Sequence, residues 1–205
     1  MAYSDFTLYK LTREFQLTLD EHENLFADVV AVEIRPFLAE LLQENQPLAL
    51  AIHTEKARSE MLIAPILIEL RKLKHHQISL FSGVDFTIAP EQGLNGICDF
   101  IITQSAEQLF ISAPVLIIFE AKNENIKAGL AQCIAAMFAA QLFNRREQSP
   151  VDIIYGAVTT GSLWKFLKLQ GTQVMLDQRE YHINDIGKIL AVLLHIAGDD
   201  IRILA

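Results

Sequence analysis

Two apolar runs in the middle of the chain carry charges that hydrophobicity alone would not put there. The first is Gly96-Ile97-Cys98-Asp99-Phe100-Ile101-Ile102 and the second is Pro114-Val115-Leu116-Ile117-Ile118-Phe119-Glu120-Ala121-Lys122. Short runs rich in β-branched and aromatic residues read as strands. Side chains alternate along a strand with period two, so Glu120 and Lys122 share a face. Asp99 joins them if the two strands are neighbours. A Glu-x-Lys at a strand end is commonly a cross-strand ion pair on a solvated edge. Here Phe119 and four aliphatics come immediately before Glu120, which puts the charges at the end of a buried central strand, where they are costly unless paired or metal-bound. A converging carboxylate pair can hold a hard divalent cation such as Mg²⁺ with several retained waters, and an ammonium beside it can orient a nucleophilic water. That combination suits phosphodiester hydrolysis.

The flanking sequence predicts what surrounds this pair. From 4 to about 51 the apolar spacing is helical, with Glu44-Asn45-Gln46-Pro47 reading as a stop. Thr54 is positioned to cap a helix whose apolar face includes Met61, Leu62, Pro65, Ile66, Ile68 and Leu70 and whose last turn is basic. Strands are expected at 78–81, 84–88, 97–102, 109–111 and 115–119, a helix at 126–143, strands at 151–159, 163–169 and 174–176, and a closing helix at 184–197 capped by Asn184. Helices, strands, helix, strands, helix in that order predict a single α/β domain over 1–205 on a mixed central sheet. Residues 1–52 form an added N-terminal helical layer and 54–169 the core.

An acidic residue on one strand, Glu-x-Lys on the next, then a helix bearing Gln resembles the PD-(D/E)XK, or restriction-endonuclease-like, nuclease superfamily. The matching positions are Asp99, Glu120, Lys122 and Gln132 in Gly129-Leu130-Ala131-Gln132-Cys133. Residues 57–67, with Glu60, resemble the helix that contributes a further Glu in the nuclease domains of type I restriction motor subunits. Cys98 stands where the eponymous Pro would precede the acid. The whole chain also resembles a family of small cyanobacterial proteins, a likeness that carries no activity with it. The superfamily resemblance implies a restriction-endonuclease-like sheet and Mg²⁺ (or Mn²⁺) held by Asp99, Glu120 and the Ala121 carbonyl. It further implies Lys122 as the group acting on the attacking water, Gln132 as an orienting residue, Glu60 as metal support, DNA as substrate and a possible homodimer. The alternative is an inactive module of the same fold that binds nucleic acid or a protein.

Composition narrows the rest. Lys+Arg 17 against Asp+Glu 25 gives a net charge of -8, the wrong sign for coating nucleic acid, so any DNA contact must be local. Candidates are Lys56, Arg58, Arg71, Lys72, Lys74, Arg145, Arg146, Lys165 and Lys168, most of them expected to be ordinary solvated charges. Trp164 is expected in the core, Gln141 on the surface, and Cys98 and Cys133 as buried hydrophobes without zinc or disulfide spacing. His53, His182 and His195 read as structural, and no phosphate loop, nucleophile elbow or HExxH is present. The longest apolar stretch, 128–143, carries Gln132 and Gln141 and falls short of the roughly eighteen residues of a spanning helix. A soluble, cytoplasmic protein is expected.

Overall fold

A computed structural model describes residues 1–198. It is a mixed α/β fold on one eight-stranded sheet. The strands are β1 (Thr18–Asp20), β2 (Ser79–Asp85), β3 (Ile97–Thr103), β4 (Val115–Ala121), β5 (Ile153–Thr159), β6 (Leu163–Gln170), β7 (Gln173–Leu176) and β8 (Tyr181–His182). Their order is β1-β7-β6-β5-β4-β3-β2, with β8 also on β6. The pairs β4/β5 and β1/β7 are parallel and the others antiparallel.

The helices are α1 (Leu8–Glu14), α2 (Pro36–Ile52), α3 (Glu55–Arg58), α4 (Ala64–Leu73), α5 (Ile126–Arg146) and α6 (Ile186–Ile196). A π-helical turn, Ser59–Ile63, joins α3 to α4 without a break. Alternation along β4 divides the core. Ile117 and Phe119 pack with α2, α4 and α6 on one face, and Ile118 packs with α1 and α5 on the other. α5 is long and apolar enough to cross a membrane, yet 67% of its apolar window is buried inside the fold. It is the helix that crosses over between the parallel strands β4 and β5.

Local chemistry explains most boundaries. Thr54 Oγ1 accepts from Ala57 N at 3.1 Å, capping α3 as expected. Trp164 is fully buried, edge-on to Phe119, and donates its indole N–H to Gly161 O at 3.1 Å. Cys98 and Cys133 are buried free thiols.

Several expectations fail for physical reasons. Pro47 does not stop α2, which runs through it to Ile52. Pro47 and Gln43 are both exposed, so the carbonyl that loses its donor is left to water, while buried Leu38, Leu42 and Ala49 hold the helix down. The two strands expected at 78–81 and 84–88 are one strand, in which Gly83 takes a left-handed φ of 61°. Residues 109–111 form no strand, and Leu109 is 92% exposed. Ile68, assigned to the apolar face, is exposed. Asn184 lies in a 3-10 turn ahead of α6 and caps nothing. β1, placed within the helical preface, exists because it pairs in parallel with β7.

Residues 24–35 have little regular structure and are fastened to α6. Lys188, 7% exposed, donates through Nζ to the Phe26 carbonyl at 2.9 Å and to that of Val29. Val32 N donates to Gly187 O at 3.1 Å. A Cβ on Gly187 would stand 2.5 Å from the Val32 carbonyl oxygen. Gly187→Ala therefore drives a methyl carbon into the Val32 main chain and is expected to lower stability by about 1–3 kcal/mol, read as a shift of the denaturation midpoint in urea.

Candidate active site

The site lies where β3 begins and β4 ends. Antiparallel pairing sets Phe100 against Phe119 and Ile101 against Ile118, and the same register continued by one residue sets Asp99 across from Glu120. The main-chain ladder gives way there. Ala121 N donates instead to Asp99 Oδ2 at 2.6 Å, so a side chain replaces the strand partner. On the other edge Lys122 N donates to Thr159 O at 2.8 Å, continuing the β4/β5 pairing just past the end of β4.

All seven residues of β4 are buried, and Glu120 is 4% exposed. Its carboxylate accepts from Lys122 Nζ across the two-residue spacing. α5 comes close to this pair through Gly129, where a Cβ would lie 2.7 Å from Val158 Cγ1, 3.1 Å from Lys122 Cγ and 3.2 Å from Glu120 Cγ. Gly129 is thus the point at which helix backbone covers the charged pair.

Burial dominates the electrostatics. The Glu120 carboxyl is pushed up to about 8 by loss of solvent and by the Asp99 charge, against the opposing pull of Lys122. Asp99, half-buried, is raised by burial despite the Ala121 N–H bond and the nearby ammonium. Burial works to lower Lys122, but its hydrogen bond to Glu120 and the surrounding carboxylates leave it raised. Both thiols nearby are raised by burial and so stay protonated.

A cleft of about 250 Å³ opens beside Asp99 and Ala121, walled by Ser82 and by Glu55, Lys56, Ser59 and Glu60 from the helix. In a regular α-helix, residues five apart point about 140° away from each other. The π turn widens the helix here, and Glu55 and Glu60 both border the same cleft. Glu60 is exposed and lies 3.7 Å from Lys56. Glu55, which the sequence reading passed over, is near enough for its charge to act on both Glu120 and Lys122. Its position directly after a capping Thr54 is the ordinary place for a structural acid, which hides any other role.

The expected residues divide as follows. Asp99, Glu120, Lys122 and the Ala121 carbonyl gather at one strand end, and Glu60 faces the cleft beside them. Gln132 is half-buried on α5, three residues beyond Gly129, and among the described residues it has no hydrogen bond to the carboxylates. No three His, Cys, Asp or Glu side chains of the described residues stand close enough together to ligate one ion. Arg58, considered above as a phosphate-tracking residue, is 6% exposed and committed to internal acceptors. Gln141, expected on the surface, is 1% exposed with neither amide atom hydrogen-bonded. Buried water is the usual partner of such a group.

Compared with protein families, with curated proteins and with solved structures, the chain finds no match.

The raised Glu120 carboxyl sets a pH dependence. In the unfolded chain it ionises in the ordinary range near 4.5, and in the folded chain near 8. Between those values the folded state holds the extra proton, so stability falls as pH rises through this window. Lys122, with its raised pKa, keeps its charge throughout. With divalent ions chelated, Tm is expected to decline from about pH 5 to pH 8 in the wild type and to decline less in Glu120→Gln.

Proposed function

We propose that this protein is a Mg²⁺-dependent (or Mn²⁺-dependent) nuclease that hydrolyses phosphodiester bonds of DNA, of the restriction-endonuclease-like, PD-(D/E)XK type. The observation that carries this reading is the setting of Asp99 across from Glu120 on adjacent strands, with Lys122 on the same face as Glu120 and hydrogen-bonded to it. The element order supports it: a helix bearing Glu60, the antiparallel strands β2-β3-β4, the crossover α5, then β5 parallel to β4.

The donor set fits a small hard cation. Two carboxylates and a main-chain carbonyl are all oxygen, and a magnesium ion retains several waters, so three protein side chains are not required. The bound ion would lower the pKa of a coordinated water and offset charge on the phosphate. Asp99 and Glu120 would hold it with the Ala121 carbonyl. Glu120, protonated or lysine-bound near neutrality without the ion, would release that proton or partner on binding. Lys122 would then orient the attacking water and stabilise charge developing on the phosphoryl oxygens. Glu60 would support the ion from the cleft wall, Gln132 would orient the site from α5, and a homodimer would present two sites to the two strands. The cytoplasm is the compartment this reading assigns.

One observation favours a binding module without cleavage. The cleft is walled by Glu55 and Glu60, and no third ligand side chain stands ready beside Asp99 and Glu120 among the described residues.

Wild type and Lys122→Ala, incubated with supercoiled, linear and branched DNA and Mg²⁺ or Mn²⁺, separate the readings. Cleavage by the wild type is expected, with a loss on the order of 10²–10³-fold in the folded mutant. A wild type that cuts nothing, or a mutant that cuts as well, overturns the nuclease reading. Tight binding to DNA in chelator without cleavage supports the module.

A further inference from the structure

The geometry points to Arg58 as a positioning residue for Lys122, an inference that rests on the nuclease reading for its catalytic consequence. Arg58 ends α3, where the helix widens into its π turn. Its guanidinium reaches two loops at once. Nε donates to Asn123 Oδ1 at 3.2 Å, and Nη1 donates to Thr160 O at 3.1 Å and to Ser162 Oγ at 3.3 Å. Asn123 is the residue after Lys122. Thr160 follows Thr159, whose carbonyl receives the Lys122 amide. Arg58 therefore ties the residue that follows the lysine to the turn of the neighbouring strand that receives the lysine's amide.

The turn at 160–162 is fitted to this grip. Gly161 takes φ +80°, and a Cβ there would come within 3.0 Å of Leu62 Cδ1 and 3.5 Å of the Arg58 carbonyl oxygen. Thr159 Oγ1 accepts from Gly161 N at 2.9 Å, and Gly161 O receives the indole of Trp164.

Stability alone does not account for a cation here. Asn123 Oδ1, Thr160 O and Ser162 Oγ are all neutral acceptors, and no carboxylate forms an ion pair with Arg58 among the described residues. A buried charge without a counter-charge is costly beside an apolar side chain of similar size. What arginine offers is a planar fork with donors fixed in two directions, which lysine lacks. Fixing Asn123 and the turn beside it limits how far the Lys122 ammonium can stray from Glu120, and misplacements of about 1 Å can cost on the order of 10²-fold in rate.

Asn123→Ala removes one arm of the clamp and leaves the buried cation in place. In this variant kcat for DNA cleavage should fall by about ten- to a hundredfold, with KM and Mg²⁺ affinity unchanged. Asn123→Asp, which keeps an Oδ acceptor, should restore most of it, and Arg58→Lys should resemble Asn123→Ala. A readout independent of activity is hydrogen exchange at the Lys122 amide, expected to quicken in Asn123→Ala and Arg58→Lys but not in Asn123→Asp. Unchanged exchange overturns the clamp, and faster exchange with unchanged turnover overturns its catalytic consequence. If the wild type cleaves no DNA, the nuclease reading falls by itself and the exchange experiment alone decides the clamp.

Discussion

The cost of holding a carboxylate away from water shapes this molecule around Glu120. β4 runs through the middle of the sheet with every residue buried, and its next-to-last residue carries an acid that burial pushes up to about 8. Such a group has three ways to lower its cost: keep a proton, find a cation, or reach solvent. Solvent is closed off by α5, whose Gly129 lies against the Glu120 and Lys122 stems. The proton and the lysine remain, and both are in use. Folding carries this expense as pH rises from the ordinary carboxylate range toward 8.

The position of the site follows from connectivity. An antiparallel partner on one side supplies Asp99, and a parallel partner on the other supplies the Thr159 carbonyl and the 160–162 turn. Because β4 is antiparallel to β3 and parallel to β5, its end meets the start of one neighbour and the end of the other. The parallel connection demands a crossover, and that crossover is α5, the element that seals the charged pair. The helix on the opposite face adds the cleft wall. Its π turn, a form often found at functional sites, brings Glu55 and Glu60 to the cleft while sending Arg58 inward.

What could be read from the residues was what depends on short-range periodicity. Alternation and apolar run length were enough for β3, β4, β5 and the Ala-rich α5, and hence for Asp99 and Glu120 as intruders in apolar strands. β1 was not readable, because three residues in a polar stretch become a strand only by meeting β7 more than 150 positions later. Pro47 misled because a local breaker was outweighed by tertiary burial of Leu38, Leu42 and Ala49. Arg58 and Gln141 show the same limit from the other side. A long polar side chain on a helix reads as exposed, and only the fold reveals whether neighbouring elements enclose it. No residue pattern announces a π turn, so the shared cleft of Glu55 and Glu60 had no signal either.

The acidity of the chain and its proposed substrate are reconciled by the same electrostatics. With a net charge of -8 and two carboxylates on the cleft wall beside Asp99 and Ala121, the apo surface repels a polyanion over a distance set by ionic strength. On the nuclease reading, each divalent ion drawn to the cleft would cancel two of those charges where a scissile phosphate would sit. Lys122 would become available to that phosphate only when Glu120 turned to another cation, since its ammonium is otherwise spent on the carboxylate. Cation binding would thus change both the sign of the local field and the partner of the lysine, so that on the nuclease reading substrate engagement and assembly of the site would depend on one event. On that reading, the charge balance that rules out non-specific coating of nucleic acid does not argue against such a site, because repulsion without the ion would confine DNA contact to the state in which Lys122 was free to act.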